Sequence, residues 1–276
     1  MKRSPKDEGK NHYCSYTNSY FYTNGHYWRH TIFGGIPFLL LTYVMATIAL
    51  YELLQMRKLS IFSFHGALAT LFLWIFLLPP HLYDKLYLFS LSKMEISFVI
   101  VLILLSYTVI VKNNFNFDQA GFSFFSIFYI GIGFYYMVQI REQGLVLLFF
   151  ALLVVWMTDS GAYFVGKYLG KRKLWPEISP NKTIGGFIGG ILSAILVAIV
   201  FAIFTNIPVT TVKLLIITVI LSIFGQLGDL AESALKRHFA VKDSGRIFPG
   251  HGGMLDRCDS WLFVLPLLYF LLTKLP

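Results

Sequence analysis

Eight apolar runs constrain this chain more than any single residue does: about Phe33–Tyr51, Ile61–Leu78, Met94–Val111, Phe122–Val138, Gly144–Met157, Ile184–Phe204, Val212–Phe224 and Trp261–Leu272. A helix needs about 20 apolar residues to cross a bilayer, and inside the bilayer no water is present to satisfy an open backbone. With 56% hydrophobic and only 13% charged residues, and a mean hydropathy of +0.65, the chain is too apolar for an ordinary soluble domain. The expectation is an all-α, polytopic membrane bundle of about eight transmembrane helices. The fifth and seventh runs are short for a span. They are expected to lengthen through Asp159 and through Gly225-Gln226, with those polar residues facing protein.

The charged residues fall between the runs, and their sign gives an orientation. Thirteen Lys and Arg sit on the side that holds the loops after the fifth and seventh runs, against five on the other side when the polar start is left out. The basic side is the cytoplasmic one, so the chain reads as a multi-pass protein of the cell membrane with both large loops in the cytoplasm. The net charge of +9 is then a property of loops and phosphate-binding groups, not of a nucleic-acid surface, because no soluble domain carries a basic stripe. Cys14 and Cys258 are too few and too unlike in surroundings for a disulfide framework or a zinc site. Three parts follow: a polar segment 1–33, N-terminal transmembrane helices over 34–143, and a catalytic membrane domain over 144–276 with loops at 158–183 and 225–260.

Those two loops hold most of the chemistry. Ser233 to Ser260 interleaves Lys236, Arg237, Lys242, Arg246 and Arg257 with Asp243, Asp256 and Asp259 around Gly250-His251-Gly252-Gly253. Carboxylates beside cations suit a polyanion held together with a divalent metal. In the first loop Asp159, Tyr163, Gly166 and Gly170 share a helix face, a glycine-flattened surface open to a neighbouring helix or a substrate. Gly166 to Lys171 has the wrong spacing for a phosphate-binding P-loop, and no Ser or Thr follows the lysine. In the second loop Asp229, Ser233, Lys236 and Arg237 form one stripe, which by itself also fits a merely solvated helix face. The glycine turn that follows permits close approach to a phosphate and lets Asp229 and Asp256 meet across a helix pair. His251 alone is more a hydrogen-bonding residue of the turn than a base.

Taken together, Ser233-x-Leu235-Lys236-Arg237, Lys242-Asp243-x-Gly245 and Phe248-Pro249-x-His251-Gly252-Gly253-Met254-x-Asp256-Arg257-x-Asp259 resemble the signature of the phosphatidate cytidylyltransferases, or CDP-diacylglycerol synthases. The likeness continues upstream through Asp159-x-Gly161-Ala162-Tyr163 and Ser179-Pro180-Asn181-Lys182-Thr183, and covers about Gly34 to the C-terminus. It implies a membrane enzyme that transfers CMP from CTP to phosphatidic acid in the bilayer, releasing pyrophosphate, with Mg²⁺ required. On that footing Asp229 and Asp256 are the expected Mg²⁺ ligands, with Asp259 and then Asp243 next. Lys236, Arg237, Lys242 and Arg257 hold phosphates. Asp159, Ser179, Lys182, Ser233, Gly252 and Gly253 line the substrate site, and His251 orients the glycine turn. Oligomeric state stays open between monomer and homodimer.

Three positions depart from the family pattern. Cys258 replaces a larger apolar residue, and Gly185 replaces the Glu of the Lys-Thr-x-Glu-Gly stretch, removing a carboxylate beside the site. The third is the polar segment 1–33, where the family begins with an apolar helix. A frameshifted start is the expected cause and a genuine extracellular tail the alternative. Three functional alternatives remain beside the enzyme: a catalytically impaired or non-catalytic lipid-binding relative, CTP-dependent activation of another lipid phosphate, and a transporter. The last is disfavoured because the charges sit in loops and at helix ends, not at mid-membrane.

Overall fold

The computed structural model describes residues 35–80, 92–207, 209–250 and 252–274. The polar segment 1–33 and His251 lie outside them, together with the expectations attached to both. Among the described residues there are eight helices, matching the eight apolar runs in order. They are α1 (Ile36–Met56), α2 (Phe64–Leu77), α3 (Lys93–Ile110), α4 (Phe117–Gln143), α5 (Leu145–Leu169), α6 (Ile184–Phe204), α7 (Thr211–His238) and α8 (Leu255–Thr273). Six are long and apolar enough to cross a membrane, so the chain is a multi-pass membrane protein. The other two are α2, with 14 residues, and α8, whose 19 residues open on Asp256, Arg257 and Asp259.

Local sequence sets where most of these helices begin. Ser92 with Glu95 and Asn116 with Gln119 form reciprocal capping boxes ahead of α3 and α4. Ser63, Thr183 and Thr210 each accept a backbone N–H in the first turn of α2, α6 and α7. Between α4 and α5 the chain turns on Gly144 alone, at φ +148°. As expected, α5 and α7 run on past their apolar cores into polar sequence. Gly225 and Gln226 are buried against protein, whereas Asp159 is exposed and does not face protein as foreseen, because it lines an open pocket. The loop after α5 then forms a feature that hydropathy did not announce, an antiparallel hairpin of β1 (Lys173–Trp175) and β2 (Ser179–Thr183).

The helices pack as two connected groups. In the first, α1 lies chiefly against α4 and α2, and α3 rests on α4. In the second, α5 and α6 form the most intimate pair, α6 and α8 flank α7, and α8 returns against α4. Small residues make the α5–α6 approach possible: a Cβ at Gly161 would overlap Ser193 and come within 2.8 Å of the Gly189 carbonyl oxygen. Polar bonds tie both helices to α7, with Thr158 Oγ1 of α5 donating to Ser222 Oγ at 3.0 Å and Gln226 Nε2 of α7 to the Phe187 carbonyl of α6 at 3.3 Å. On the outer face of α6, Ile188, Leu192, Leu196, Ile203 and Phe204 stay exposed, the composition of a surface that meets lipid.

Candidate active site

Where α5, the hairpin, α6 and α7 converge, they enclose a pocket of about 600 Å³. Asp159 enters from α5, Lys182 and Asn181 from β2, and Asp229 and Gln226 from α7, with Lys167 and Lys173 at the rim. Lys182 Nζ lies 2.7 Å from Asp229 Oδ2, and Ser233 Oγ donates to Asp229 Oδ1 at 3.3 Å. The glycine-flattened face of α5 is occupied by α6: a Cβ at Gly166 would lie 3.0 Å from Thr183 Oγ1 and 3.4 Å from Gly186 Cα. That contact brings the start of α6, and Lys182 just before it, against the end of α5 that carries Asp159.

Asp259 on α8 lies within electrostatic range of both Asp159 and Asp229. Three carboxylates therefore share this region, with Lys182 as a cation beside the first two. Carboxylates beside lysines are suited to a small divalent ion such as Mg²⁺ bound together with phosphates. Mg²⁺ is commonly held by one or two carboxylates, with phosphates and water supplying the remaining ligands. Among the described residues no three acidic, His or Cys side chains are already gathered as a metal cage.

Asp256 takes part in a second, separate network. Its Oδ1 meets Lys236 Nζ at 2.6 Å, and its Oδ2 accepts from the Gly253 N–H at 2.7 Å and the Ser244 N–H at 2.9 Å. Lys236 also pairs with buried Glu232, four residues earlier on α7. The meeting of Asp229 with Asp256 foreseen from sequence is not what the structure arranges. Asp229 has Asp159 and Asp259 for neighbours, because α7 and α8 cross with Gly228 against Asp259 while Lys236, two turns on, reaches Asp256.

The remaining candidates are spread around these two networks. Lys242 and Asp243 line a different pocket of about 700 Å³ between the end of α1 and the loop 241–247, together with Arg246 and Glu52. Arg237 Nε donates to the Ile178 carbonyl at 3.3 Å and so ties α7 to the hairpin, in which Ser179 pairs with Trp175. Arg257 lies in the first turn of α8. The glycine turn admits side chains of this chain itself: Gly252, at φ +83°, leaves room for the Asp256 carboxylate, and Gly253 for Ser244 and Glu52. Sequence reasoning missed Glu52, Glu232 and Ser244, all buried. Glu52 carried a signal, as a charge one residue past the first apolar run and within the same helix.

A family model described as the cytidylyltransferase family matches residues 26–275, nearly the whole chain. The chain belongs to the cytidylyltransferase family. Among curated relatives, the phosphatidate cytidylyltransferase of Bacillus subtilis (strain 168) is 56% identical over 245 residues, covering 88% of this chain and 91% of the relative. Those of Staphylococcus saprophyticus and Staphylococcus aureus (strain COL) are 51% and 48% identical, and each is covered over 92% of its length. The residues that the family model matches include both acidic networks of this cytidylyltransferase.

Proposed function

We propose that this protein transfers CMP from CTP to phosphatidic acid, forming CDP-diacylglycerol and pyrophosphate in phospholipid biosynthesis. The observation that carries the proposal is the pocket of Asp159, Lys182 and Asp229 in a chain about half identical, over nearly their full lengths, to relatives named phosphatidate cytidylyltransferase. A lipid-binding relative without activity would have no use for so many ionisable groups turned into one pocket at a membrane helix end.

The reaction asks little of acid–base chemistry. A phosphate oxygen of phosphatidic acid is already an anion at neutral pH; it attacks the α-phosphorus of CTP, the α–β bridging bond breaks, and pyrophosphate leaves. The obstacle is repulsion between two anions, so catalysis is positioning and charge stabilisation. Lys182 in the pocket, with Arg237 farther along α7 and Lys242 and Arg257 beyond, would supply the cations that hold phosphates, while Lys236 is engaged by Asp256 and Glu232. Asp229, with Asp259 nearby, would hold Mg²⁺, which when bound supplies neutralising charge to the triphosphate, while Asp256 is engaged by Lys236 and the turn. Ser179, Ser233 and Asp159 complete the wall, and Gly252 and Gly253 shape the turn beside Asp256.

The pocket end of the bundle faces the cytoplasm in this proposal, where CTP is available, in line with the thirteen-to-five distribution of basic residues. Single cysteines at positions 171 and 246 are expected to react with a membrane-impermeant thiol reagent only after the cytoplasmic face is opened. Labelling of either in intact cells would reverse the orientation. The activity itself is tested with the protein in liposomes: pyrophosphate release from CTP that depends on phosphatidic acid is expected, and release that ignores the lipid would contradict the assignment.

A further inference from the structure

Glu52 is a carboxylate inside a membrane helix, 1% exposed, and the proposed reaction makes no direct use of it. The partners explain how it is stabilised. Its Oε1 accepts from the Met254 N–H at 2.9 Å, and its Oε2 from the Leu255 N–H at 2.8 Å and the Ser244 hydroxyl at 3.1 Å. Met254 and Leu255 open α8, a helix with no side-chain cap from its own N-cap residue. The first N–H groups of a helix have no partner within it and sit at the positive end of its dipole. Glu52, about two hundred residues earlier in the chain, fills that role from α1.

Two glycines admit it. A Cβ at Gly245 or at Gly253 would run into the Glu52 carboxylate, so the bare backbone at both positions is required by this side chain. The Ser244 hydroxyl lies between two carboxylates, 3.1 Å from Glu52 Oε2 and 2.9 Å from Asp256 Oδ2. We propose that Glu52 is a positioning residue: by capping α8 at Met254 and Leu255 and engaging Ser244, it holds these backbone segments so that Asp256 stays fixed opposite Lys236. The helix that supplies it packs chiefly on α4 and α2, so Glu52 fastens the first helical group to the ionisable half of the molecule.

The proposal rests on the function given above, and its test keeps the two apart. Glu52→Gln preserves shape but places an amide where N–H groups need an acceptor, and Ser244→Ala removes only the hydroxyl between the carboxylates. Each is expected to lower kcat about tenfold or more, the scale of groups that orient a site from behind, with KM for CTP little changed. Because both act through the same loop, the double variant should be no worse than the poorer single one. Effects that multiply, or kcat unchanged per folded molecule, would overturn the proposal. If Glu52→Gln does not accumulate in the membrane, Ser244→Ala decides by the same kcat criterion. Should the unaltered chain release no pyrophosphate, the functional assignment fails, and the anchor is read without activity from the buried thiol of Cys258, one turn into α8. In a Cys14→Ser background that thiol should resist a thiol reagent in the unaltered chain and react faster in Glu52→Gln; equal protection would overturn the anchor.

Discussion

The two acidic networks are built from the same residue types and do opposite things. Asp159 and Asp229, with Asp259 nearby, share a region with Lys182, Lys167 and Lys173, and the first two face a pocket open to a ligand. Around Asp256 and Glu52, almost every carboxylate oxygen is already met by a backbone N–H, a hydroxyl or Lys236. Buried charge is costly unless paired or hydrogen-bonded. The first network pairs Asp229 with Lys182 and leaves Asp159 exposed to a ligand, whereas the second satisfies that need internally and so fixes the backbone. The difference separates groups that handle substrate from groups that hold those groups still.

The largest effect should come from the open network. Asp229→Asn removes a charge from the pocket while nearly keeping shape, and turnover should fall at least ~100-fold, the scale of one group stabilising charge in a transition state, with thermal stability unchanged. A matching loss of stability would mean that the pocket is as structural as the clamp. Asp256→Asn should lower both quantities: turnover by about 10- to 100-fold, and stability through weakened bonds to Gly253 and Ser244, charge-assisted bonds being worth about 1.5–3 kcal/mol each. Near-normal CTP turnover would remove Asp256 from the site.

Gly253→Ala addresses the clamp without touching a charge. Its methyl would overlap Ser244 and press on Glu52, whose carboxylate is pinned by its own bonds. A destabilisation of about 1–3 kcal/mol is expected in thermal unfolding, and an unaffected Tm would show that the clamp yields. The smallest effect belongs to Gly185→Glu. A Cβ there meets Gly170 Cα at 3.3 Å, so a small shift admits it, and the new carboxylate would sit in the first turn of α6. The Mg²⁺ requirement should fall about 2- to 5-fold, matching the 0.3–1 kcal/mol of one charge at a helix start. An equal or higher requirement at equal expression would show a site adapted to glycine.

Much of the fold was legible because apolar length is a direct physical demand of the bilayer, and the eight helices follow the eight runs. The apolar run of α8 begins only at Trp261, because its opening turns are polar and carry Asp256 and Asp259, as expected for the start of the last helix. What sequence did not show is that its cap comes from α1. The hairpin was missed because strands of three and five residues, one containing Pro180, leave no alternating pattern. Asp159, Lys182 and Asp229 were legible as candidates by their placement at helix ends and in loops. The pairing of Asp229 was not, since helix crossing decides whether Asp256 or Asp259 faces it. Glu52 shows the limit most clearly: its partners lie 192 to 203 residues away, and no spacing rule connects them.

The most direct measurement is CMP transfer itself, followed side by side for the unaltered protein and Asp229→Asn, purified in mixed micelles with CTP, Mg²⁺ and phosphatidic acid. The account predicts CDP-diacylglycerol and pyrophosphate in equal amounts from the unaltered protein and almost none from a folded Asp229→Asn. Equal turnover by the two, or no nucleotide-linked lipid from either, would contradict it.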